Sequence, residues 1–402
     1  MINYSQQNID EEDIAHVLNV LKSGFLTQGP QVPFFEEKIK EYVGVTFAFA
    51  MNSATSALHC ACMALDVGPG DLVWTTPNSF VASANCALYC GATIDFVDIE
   101  LDHYNICTNA LREKLEKADS QGLCPKVLIP VHFAGHPADM QEIHRLSKQY
   151  GFYVIEDASH AIGAKLLTKL IPKSQKNAKS ENEQSDEDHI GSCKYSDITI
   201  FSFHPVKIIT TAEGGIATTN NPELAEKLSR LRSHGIRQIT APEPKMEEQP
   251  WRYDQVELGY NYRMSDVNAS LGMSQLRKVN QFVLERNSLA DYYDTKLEKS
   301  ALRLPKRAKN VVSSVHLYPI WFPSKEQKLG AFKRLLSENI KTNVHYIPIH
   351  LHSYYYNLGF RVGDFPKSEV HYEKSLSVPL FPSLRLATID RICEIIMEVT
   401  VE

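Results

Sequence analysis

The sequence predicts an α/β protein with a mostly parallel sheet in a large domain, followed by a smaller C-terminal α+β domain. Two observations support this prediction. From residue 46 to about residue 203, short apolar segments of strand length alternate with helical segments, and after residue 275 β-type runs occur among helices. Short buried strands that alternate with helices are typical of parallel sheets, because each connecting helix covers one face of the sheet.

Two helices are predicted before the first strand. Residues 10–22 combine an acidic start with apolar residues at helical spacing, namely Ile14, Val17, Leu18 and Leu21. The segment "SGFLTQGPQV" interrupts this pattern with glycine and proline, and "PFFEEKIKEYVG" predicts the second helix. We assign residues 1–25 to an N-terminal arm and helix.

The large domain, assigned to residues 26–275, follows from the alternating segments. Its predicted strands are short and apolar: "TFAFAMNS", "DLVWTTP", "TIDFVDIE", "KVLIPVHFAG", "FYVIEDAS" and "YSDITIFSF". Helices are predicted between and after them: "ATSALHCACMALD", "NSFVASANCALYCGA", "TNALREKLEKA", "DMQEIHRLSKQYG" and "NNPELAEKLSRLRSHG". One or two long helices then begin near "GYNYRMSDVNASLG".

One segment interrupts this alternation. Residues 168–189 are polar, first basic and then acidic, and contain too few apolar residues to order themselves, so we expect a mobile surface insertion. The smaller domain, residues 276–402, is predicted from the β-type runs "SSVHLYPIWF" and "TNVHYIPIH" and from the helices "KLGAFKRLLSEN" and "TIDRICEIIMEV".

Composition excludes several functional classes. The net charge of −6 in 402 residues lacks the basic excess of nucleic-acid-binding proteins. No apolar run approaches the roughly 18 residues of a membrane span, and the N-terminus does not resemble a signal peptide, so we expect a cytoplasmic protein. The eight cysteines show no second ligand pair that would complete a metal site, and we expect them to be reduced.

Three polar features lie at the ends of predicted elements. "MNSATSALH", residues 51–59, leads from a strand into a helix whose N-terminus could hold a phosphate group. Asp157 ends an apolar strand, where ligands bind in open α/β sheets. Lys207 follows another strand, with Ser202 nearby as a second phosphate donor and apolar neighbours that could lower its pKa.

Each feature alone has a simpler explanation, because the first is also an ordinary helix N-cap, Asp157 could cap the next helix, and lysines are mostly surface residues. Together, a phosphate cradle, a carboxylate and a lysine are the groups that pyridoxal 5′-phosphate requires. They would serve as its anchor, the partner of its ring nitrogen and the amine that forms a Schiff base. The sequence therefore favours this cofactor.

The segments that carry these residues resemble the motifs of the DegT/DnrJ/EryC1/StrS sugar aminotransferases, which are fold-type I pyridoxal-phosphate enzymes. The resemblance runs from about residue 4 to the C-terminal region and rests on "SGFLTQGP", "NSATSALH", "EDASHAIGA", "FSFHPVKIITTAEGGIATT" and "LGYNYRMSDVNASLGMSQLRK". "SFHPVK", "SSVHLYPI" and "VHYIPIH" are most similar to members that aminate a UDP-linked 4-keto sugar in pseudaminic acid biosynthesis, with L-glutamate as donor.

The resemblance implies a role for each matching residue. Lys207 would form the Schiff base and move the proton, Asp157 would pair with the ring nitrogen, and Phe80 would stack on the ring. Ala54, Thr55 and Ser202 would hold the phosphate, and Asn261 would reach the phosphate of a partner subunit in a homodimer. His160 would stand near the phenolic oxygen of the ring, where many family members carry glutamine. The nucleotide sugar would be bound by Tyr4, Gly24, Phe25, Leu26, Thr27, His316, Leu317, Tyr318 and Pro319.

Other functions stay open at this stage. Relatives that catalyse sugar 3-dehydration replace the Schiff-base lysine with histidine, whereas this chain has Lys207. Transamination of another nucleotide-linked keto sugar, at C3 or C4, is an alternative because a few loops determine sugar identity. A non-catalytic α/β binding protein is an alternative of a different class, and it would be colourless. The absence of a G-x-G-x-x-G motif after the predicted strands disfavours a dehydrogenase.

Overall fold

The computed structural model describes residues 1–167, 187–237 and 251–401. The strands in this part of the chain are β1 (Phe47–Met51), β2 (Leu72–Thr75), β3 (Thr93–Phe96), β4 (Val127–Ile129), β5 (Tyr153–Asp157), β6 (Lys165–Leu167), β7 (Glu187–His189), β8 (Ile198–Ser202), β9 (Gly215–Thr219), β10 (Ile236–Arg237), β11 (Asp254–Gln255), β12 (Val311–Val312), β13 (Tyr318–Trp321) and β14 (Ser375–Val378).

The α-helices of the described residues connect these strands. They are α1 (Glu11–Leu21), α2 (Gln31–Val43), α3 (Ala54–Ala64), α4 (Ala82–Tyr89), α5 (Thr108–Asp119), α6 (Met140–Tyr150), α7 (Pro222–Leu231), α8 (Asp266–Leu276), α9 (Val279–Leu297), α10 (Lys325–Ser337), α11 (Ser353–Asn357), α12 (Pro366–Lys374) and α13 (Leu386–Val401). The helices predicted from the sequence are confirmed, with shifts of a few residues at their ends.

A seven-stranded sheet forms the centre of the large domain, in the order β1-β9-β8-β5-β4-β2-β3. Strands β3, β2, β4, β5 and β8 pair in parallel, whereas β9 runs antiparallel to both β8 and β1. The predicted α/β fold with a mostly parallel sheet is therefore confirmed. Every residue of β8 and β9 is buried, which explains why these strands read as apolar runs without alternation.

Helices cover both faces of this sheet. One face packs against α2, α5 and α6 through side chains such as Phe35, Leu111 and Ile143. The other face packs against α3, α4 and α7, with Leu58 and Leu228 in the same cluster. The small residues of α3 and α4, mainly alanine and cysteine, let these helices approach the sheet closely.

A separate apolar cluster lies in the C-terminal part of the chain. It joins α9, α10 and α13 with the antiparallel pair β13–β14, and includes Tyr293 and Ile320. The chain also returns to the large domain after this cluster begins, because Ile349 and Tyr355 pack into the core on the α3 face of the large sheet. The predicted boundary at 275/276 falls in the last turn of α8.

Two local predictions need correction. Residues 168–186 of the predicted insertion at 168–189 lie outside the described residues. The last three residues of the insertion form β7, which pairs with β6. An ion pair between Lys165 and Glu187 joins the two strands. The run "TNVHYIPIH" is not a strand. Only Asn343 makes a β-bridge, to Ser377, because the segment turns away from β14 toward the large domain. No described helix is long and apolar enough to cross a membrane.

Candidate active site

A cavity of about 660 Å³ opens where the carboxyl ends of the parallel strands meet. Asp157 is the last residue of β5, Ser202 is the last residue of β8, and Ala54 begins the helix that follows β1. All three residues line the cavity, together with Lys207. This is the position at which open α/β sheets bind ligands, because the strand ends and helix N-termini converge there. The three features singled out in the sequence are therefore neighbours in space.

The N-terminus of α3 forms one end of the cavity. Ser53 caps the helix, and its Oγ accepts a hydrogen bond from Ser56 N at 3.0 Å. The first-turn N–H groups of Ala54 and Thr55 have no acceptor within the helix, as in every α-helix. Both residues line the cavity, so their N–H groups and the helix dipole are available to an anion.

Glycine allows β9 to approach this helix start. A Cβ atom on Gly215 would lie 2.4 Å from Ala54 N and 2.6 Å from Ala54 Cα. Ser202 pairs with Gly215 across the sheet and lines the same cavity. The close approach of β9 to the start of α3 thus depends on the absence of a side chain at this position.

Asp157 is buried and held in one orientation. Its exposed fraction is 5%. Its Oδ2 accepts a hydrogen bond from Ser83 Oγ at 2.6 Å, and its Oδ1 accepts one from Ser159 N at 3.1 Å. Ser79 Oγ lies 2.8 Å from Ser83 Oγ and donates to it, because Ser83 uses its own hydrogen on the carboxylate. Such a fixed carboxylate can accept a hydrogen bond from a protonated ring nitrogen.

Lys207 lies on the turn after β8, at the cavity wall. Burial lowers the pKa of its ammonium to about 8, although the charge of Asp157 partly opposes this shift. Among the described residues, Nζ makes no hydrogen bond or ion pair. The backbone next to it is held by the N-terminal arm, because Ser5 Oγ donates to Val206 O at 3.0 Å. The lysine is therefore positioned by its backbone while its amine stays available for reaction.

The aromatic residues predicted for the ring also lie at the cavity. Phe80 lines it and is 60% exposed, so one face of its ring is free to stack on a flat group. His160 lines the cavity on the Asp157 side. Its Nε2 is 3.1 Å from Tyr346 Oη, and burial together with the Lys207 charge holds its pKa well below the usual range.

The structure separates the residues predicted to bind the sugar. Tyr4 lines the cavity. The residues Gly24, Phe25, Leu26 and Thr27 do not line it, because they form an exposed turn after α1 that is tied to Asp266. Leu317, Tyr318 and Pro319 also lie elsewhere, since they lead into and form β13 in the small domain. His316 is buried behind the cavity, with its ring centroid 4.4 Å from that of His160.

Asn261 is exposed and lies outside the cavity of its own chain. Its backbone pairs with Ser233, and its carbonyl oxygen is 3.5 Å from Asn52 Nδ2. The side chain is thus presented at the surface near the phosphate end of the cavity, where its predicted role across a dimer interface stays a prediction.

Several cavity residues were missed by the sequence analysis. The segment 343–347 brings Asn343, His345 and Tyr346 to the cavity wall. The strand predicted for this segment would keep these side chains in the small domain, away from the cavity. Ser83, which orients Asp157, was missed because nothing in a predicted helix indicates a partner 74 residues away. The repeated His and Tyr of "VHYIPIH" were the available signal.

Pyridoxal phosphate fits this set of residues. The anion site at α3, the oriented carboxylate, the exposed aromatic face and the unpaired amine with a lowered pKa supply one contact for each part of the cofactor. No group of three or more side chains suited to a metal ion occurs in the part of the chain that the structure describes.

Comparison with known proteins gives consistent results. The sequence profile of the DegT/DnrJ/EryC1/StrS aminotransferase family matches residues 7–397. A relative from Campylobacter jejuni subsp. jejuni serotype O:2, named UDP-4-amino-4,6-dideoxy-N-acetyl-beta-L-altrosamine transaminase, is 40% identical over 389 residues, which cover 96% of this chain and 94% of the relative.

Solved structures share the whole fold. PseC from Helicobacter pylori, described as an aminotransferase involved in the biosynthesis of pseudoaminic acid, is 30% identical with a TM-score of 0.85, and the match covers 100% of this chain and 99% of that one. The putative sugar aminotransferase Spr1654 from Streptococcus pneumoniae, in its PMP form, is 29% identical with a TM-score of 0.87 and the same coverage.

Proposed function

Because the chain belongs to the DegT/DnrJ/EryC1/StrS aminotransferase family, we propose that it aminates a UDP-linked 4-keto-6-deoxy-N-acetylhexosamine. The chain is a pyridoxal-phosphate-dependent sugar aminotransferase. The proposed substrate is UDP-2-acetamido-2,6-dideoxy-β-L-arabino-hexos-4-ulose, with L-glutamate as the amino donor, in pseudaminic acid biosynthesis. The observation that carries the choice of sugar is the 40% identical relative, whose name specifies such a transaminase.

The geometry of the site supports the proposed roles of its residues. When bound, pyridoxal phosphate supplies an aldehyde that accepts an amino group and a ring that stabilises negative charge on the adjacent carbon. Lys207, whose amine faces the cavity, would hold the aldehyde end of the cofactor and would serve as the base that moves the proton. With its pKa lowered to about 8, roughly a tenth of the amine is uncharged at pH 7, far more than for an ordinary lysine.

Asp157, with both carboxylate oxygens fixed by Ser83 and Ser159, would accept a hydrogen bond from the ring nitrogen and keep it protonated. The backbone N–H groups of Ala54 and Thr55 and the hydroxyl of Ser202 would bind the phosphate. Phe80 would stack on the ring and shield it from water. These residues would hold the cofactor beside Lys207, and such positioning is a main contribution of a protein to this chemistry.

A second copy of the chain completes the proposed site. Gly24, Phe25, Leu26 and Thr27 are exposed outside the cavity, and so is Asn261. Large apolar side chains near Asn261 are exposed as well, with Leu258 at 78% and Tyr253 at 69%. A homodimer would cover this apolar surface and would bring Asn261 to the partner's phosphate. Size-exclusion chromatography with light scattering measures the oligomeric state directly. An enzyme that is active as a monomer would contradict this part of the proposal.

A substrate assay tests the function. The purified protein is incubated with the UDP-linked 4-keto sugar and L-glutamate, and formation of the amino sugar and of 2-oxoglutarate is followed by chromatography. We expect one 2-oxoglutarate for each amino sugar, no detectable turnover for Lys207→Ala, and unchanged turnover for the surface control Lys38→Ala. Parallel reactions with 3-keto and other 4-keto sugars test the alternatives, and a higher kcat/KM for one of them would replace the proposed substrate.

An absorbance measurement tests the proposed role of Lys207 in cofactor binding, independently of the sugar substrate. The protein with bound cofactor should absorb in the visible or near-ultraviolet, borohydride should fix the cofactor mass to the peptide containing Lys207, and L-glutamate should shift the band to shorter wavelength. A cofactor fixed to another lysine would contradict the assignment of Lys207. A protein that stays colourless with added cofactor would favour the non-catalytic alternative.

A further inference from the structure

Tyr346 meets His160 at the cavity wall, and the scheme above uses neither this tyrosine nor its hydrogen bond. Tyr346 Oη and His160 Nε2 are 3.1 Å apart, and the planes of the two rings are nearly parallel, with an angle of 16° between them. Both residues line the cavity with Asp157 and Lys207. The pair therefore stands beside the reacting groups.

His160 is neutral in this environment. Only 5% of the residue is exposed, and burial together with the charge of Lys207 lowers the pKa of its ring well below the usual range. The His316 ring, which also faces it, is buried and has a lowered pKa for the same reason. No carboxylate forms an ion pair with His160 among the described residues.

Tyr346 stays protonated. Burial and the nearby charge of Asp157 both raise the pKa of its hydroxyl. The backbone N–H of Tyr346 donates to Asn78 Oδ1 at 3.3 Å, which holds the segment in place. A neutral imidazole and a neutral phenol thus share one hydrogen bond, and either atom could be the donor.

The unpartnered ring nitrogen decides the direction of this hydrogen bond. His160 Nδ1 is buried and has no hydrogen-bond partner in residues 1–167, 187–237 and 251–401. A buried N–H without an acceptor is rarer in folded proteins than an unused lone pair, because desolvating a donor is costly. The single ring proton therefore belongs on Nε2, which faces the tyrosine oxygen.

We propose that His160 donates its Nε2 hydrogen to Tyr346 Oη, so that the Tyr346 O–H is the donor presented to an oxygen of the bound cofactor or keto sugar. His160 is then a positioning residue that keeps the hydroxyl hydrogen turned toward the cavity. The histidine's own free nitrogen points into the protein. The inference rests on the proposed function only for the identity of the keto sugar, since membership of the family already implies the pyridoxal-phosphate cofactor.

The test compares four variants with bound cofactor and no UDP-sugar, by pH titration of the cofactor absorbance. Tyr346→Phe and His160→Leu should shift the midpoint by about one pH unit if the oxygen belongs to the cofactor, as expected for one lost hydrogen bond. His160→Gln should stay near wild type, because an amide N–H can donate to the tyrosine in the same way. Tyr293→Phe is the matched control, since it removes a buried hydroxyl that donates to Pro379 O in the small domain.

Steady-state kinetics distinguish the two possible oxygens. If the oxygen belongs to the keto sugar, Tyr346→Phe leaves the titration midpoint in place and lowers kcat about tenfold with little change in KM. In both cases Tyr346→Phe combined with His160→Leu should have no larger effect than either change alone, because the two residues act as one unit. The proposal would be overturned if Tyr346→Phe had the same titration midpoint and the same kinetic constants as the wild-type protein. Additive effects in the double variant would also overturn it. The absorbance titration needs no UDP-sugar. Its result can therefore still be interpreted if the proposed UDP-sugar turns out not to be a substrate.

Discussion

Replacing Gly215 with alanine should damage the phosphate end of the cavity without touching any catalytic side chain. The new Cβ would lie 2.4 Å from Ala54 N and 2.6 Å from Ala54 Cα and Ser53 C. An ordinary contact requires about 3.4 Å. Since all three neighbours are backbone atoms, no side chain can rotate away, and the start of α3 or strand β9 must shift by about 1 Å.

The magnitude follows from two costs. Overpacking of this kind lowers the free energy of unfolding by about 1–3 kcal/mol. A shift of about 1 Å also weakens the hydrogen bonds that the Ala54 and Thr55 N–H groups make to a phosphate, each of which contributes about 1.5–3 kcal/mol when the acceptor is charged. Losing one of them corresponds to an about 10- to 150-fold weaker affinity for pyridoxal phosphate.

The assay is a titration of the apoprotein with pyridoxal phosphate, followed by quenching of protein fluorescence, with urea unfolding measured in parallel. Gly68→Ala is the matched control, because a Cβ there has no atom within 4 Å and the backbone is not left-handed. We expect near-native affinity and stability for the control. If Gly215→Ala binds the cofactor as tightly as the wild-type protein, the anion site is not at the start of α3 and the reasoning is wrong.

Two further predictions concern Asp157 and Lys207. Ser83→Ala removes the donor to Asp157 Oδ2, so kcat should fall about tenfold, and Asp157→Asn should lower kcat by at least a hundredfold. Steady-state assays measure both values. A native kcat for Ser83→Ala would contradict the role of this hydrogen bond. Burial lowers the pKa of Lys207 to about 8 from 10.5, so between these values the unfolded apoprotein binds more protons and stability rises with pH. Lys207→Met should therefore raise the free energy of unfolding of the apoprotein at pH 7, and urea unfolding near pH 9.5 should show a smaller difference from the wild-type protein. A difference that does not change with pH would exclude a buried charge on Lys207.

Sequence reasoning succeeded where the chemistry is local to one strand end. Lys207 follows β8, Asp157 ends β5 and Ala54 begins α3, and each lies within a few residues of the element that positions it. The carboxyl ends of parallel strands share one edge of the sheet, so three local patterns were enough to predict one cavity. Its location could be inferred before the strand order was known.

It failed where a segment leaves its own domain. The segment 343–347 belongs to a predicted β-type run and contains Val, Tyr and Ile, which are common in strands, yet only Asn343 pairs with a strand in the small domain. The rest of the segment carries His345 and Tyr346 to the large domain. The residue types of a segment indicate its preference for extended structure, and they contain no information on which neighbouring element the segment packs against.

The sequence by itself determined the fold class, the family and three groups that line one cavity, because periodicity and strand-end motifs are local properties. Only the tertiary structure decided how these groups are held. Ser5 contacts Val206 across 201 residues of sequence, and Tyr346 contacts His160 across 186. Contacts of this kind depend on how distant segments pack around the sheet, and packing is selected by the free energy of the whole chain rather than by any one stretch of it.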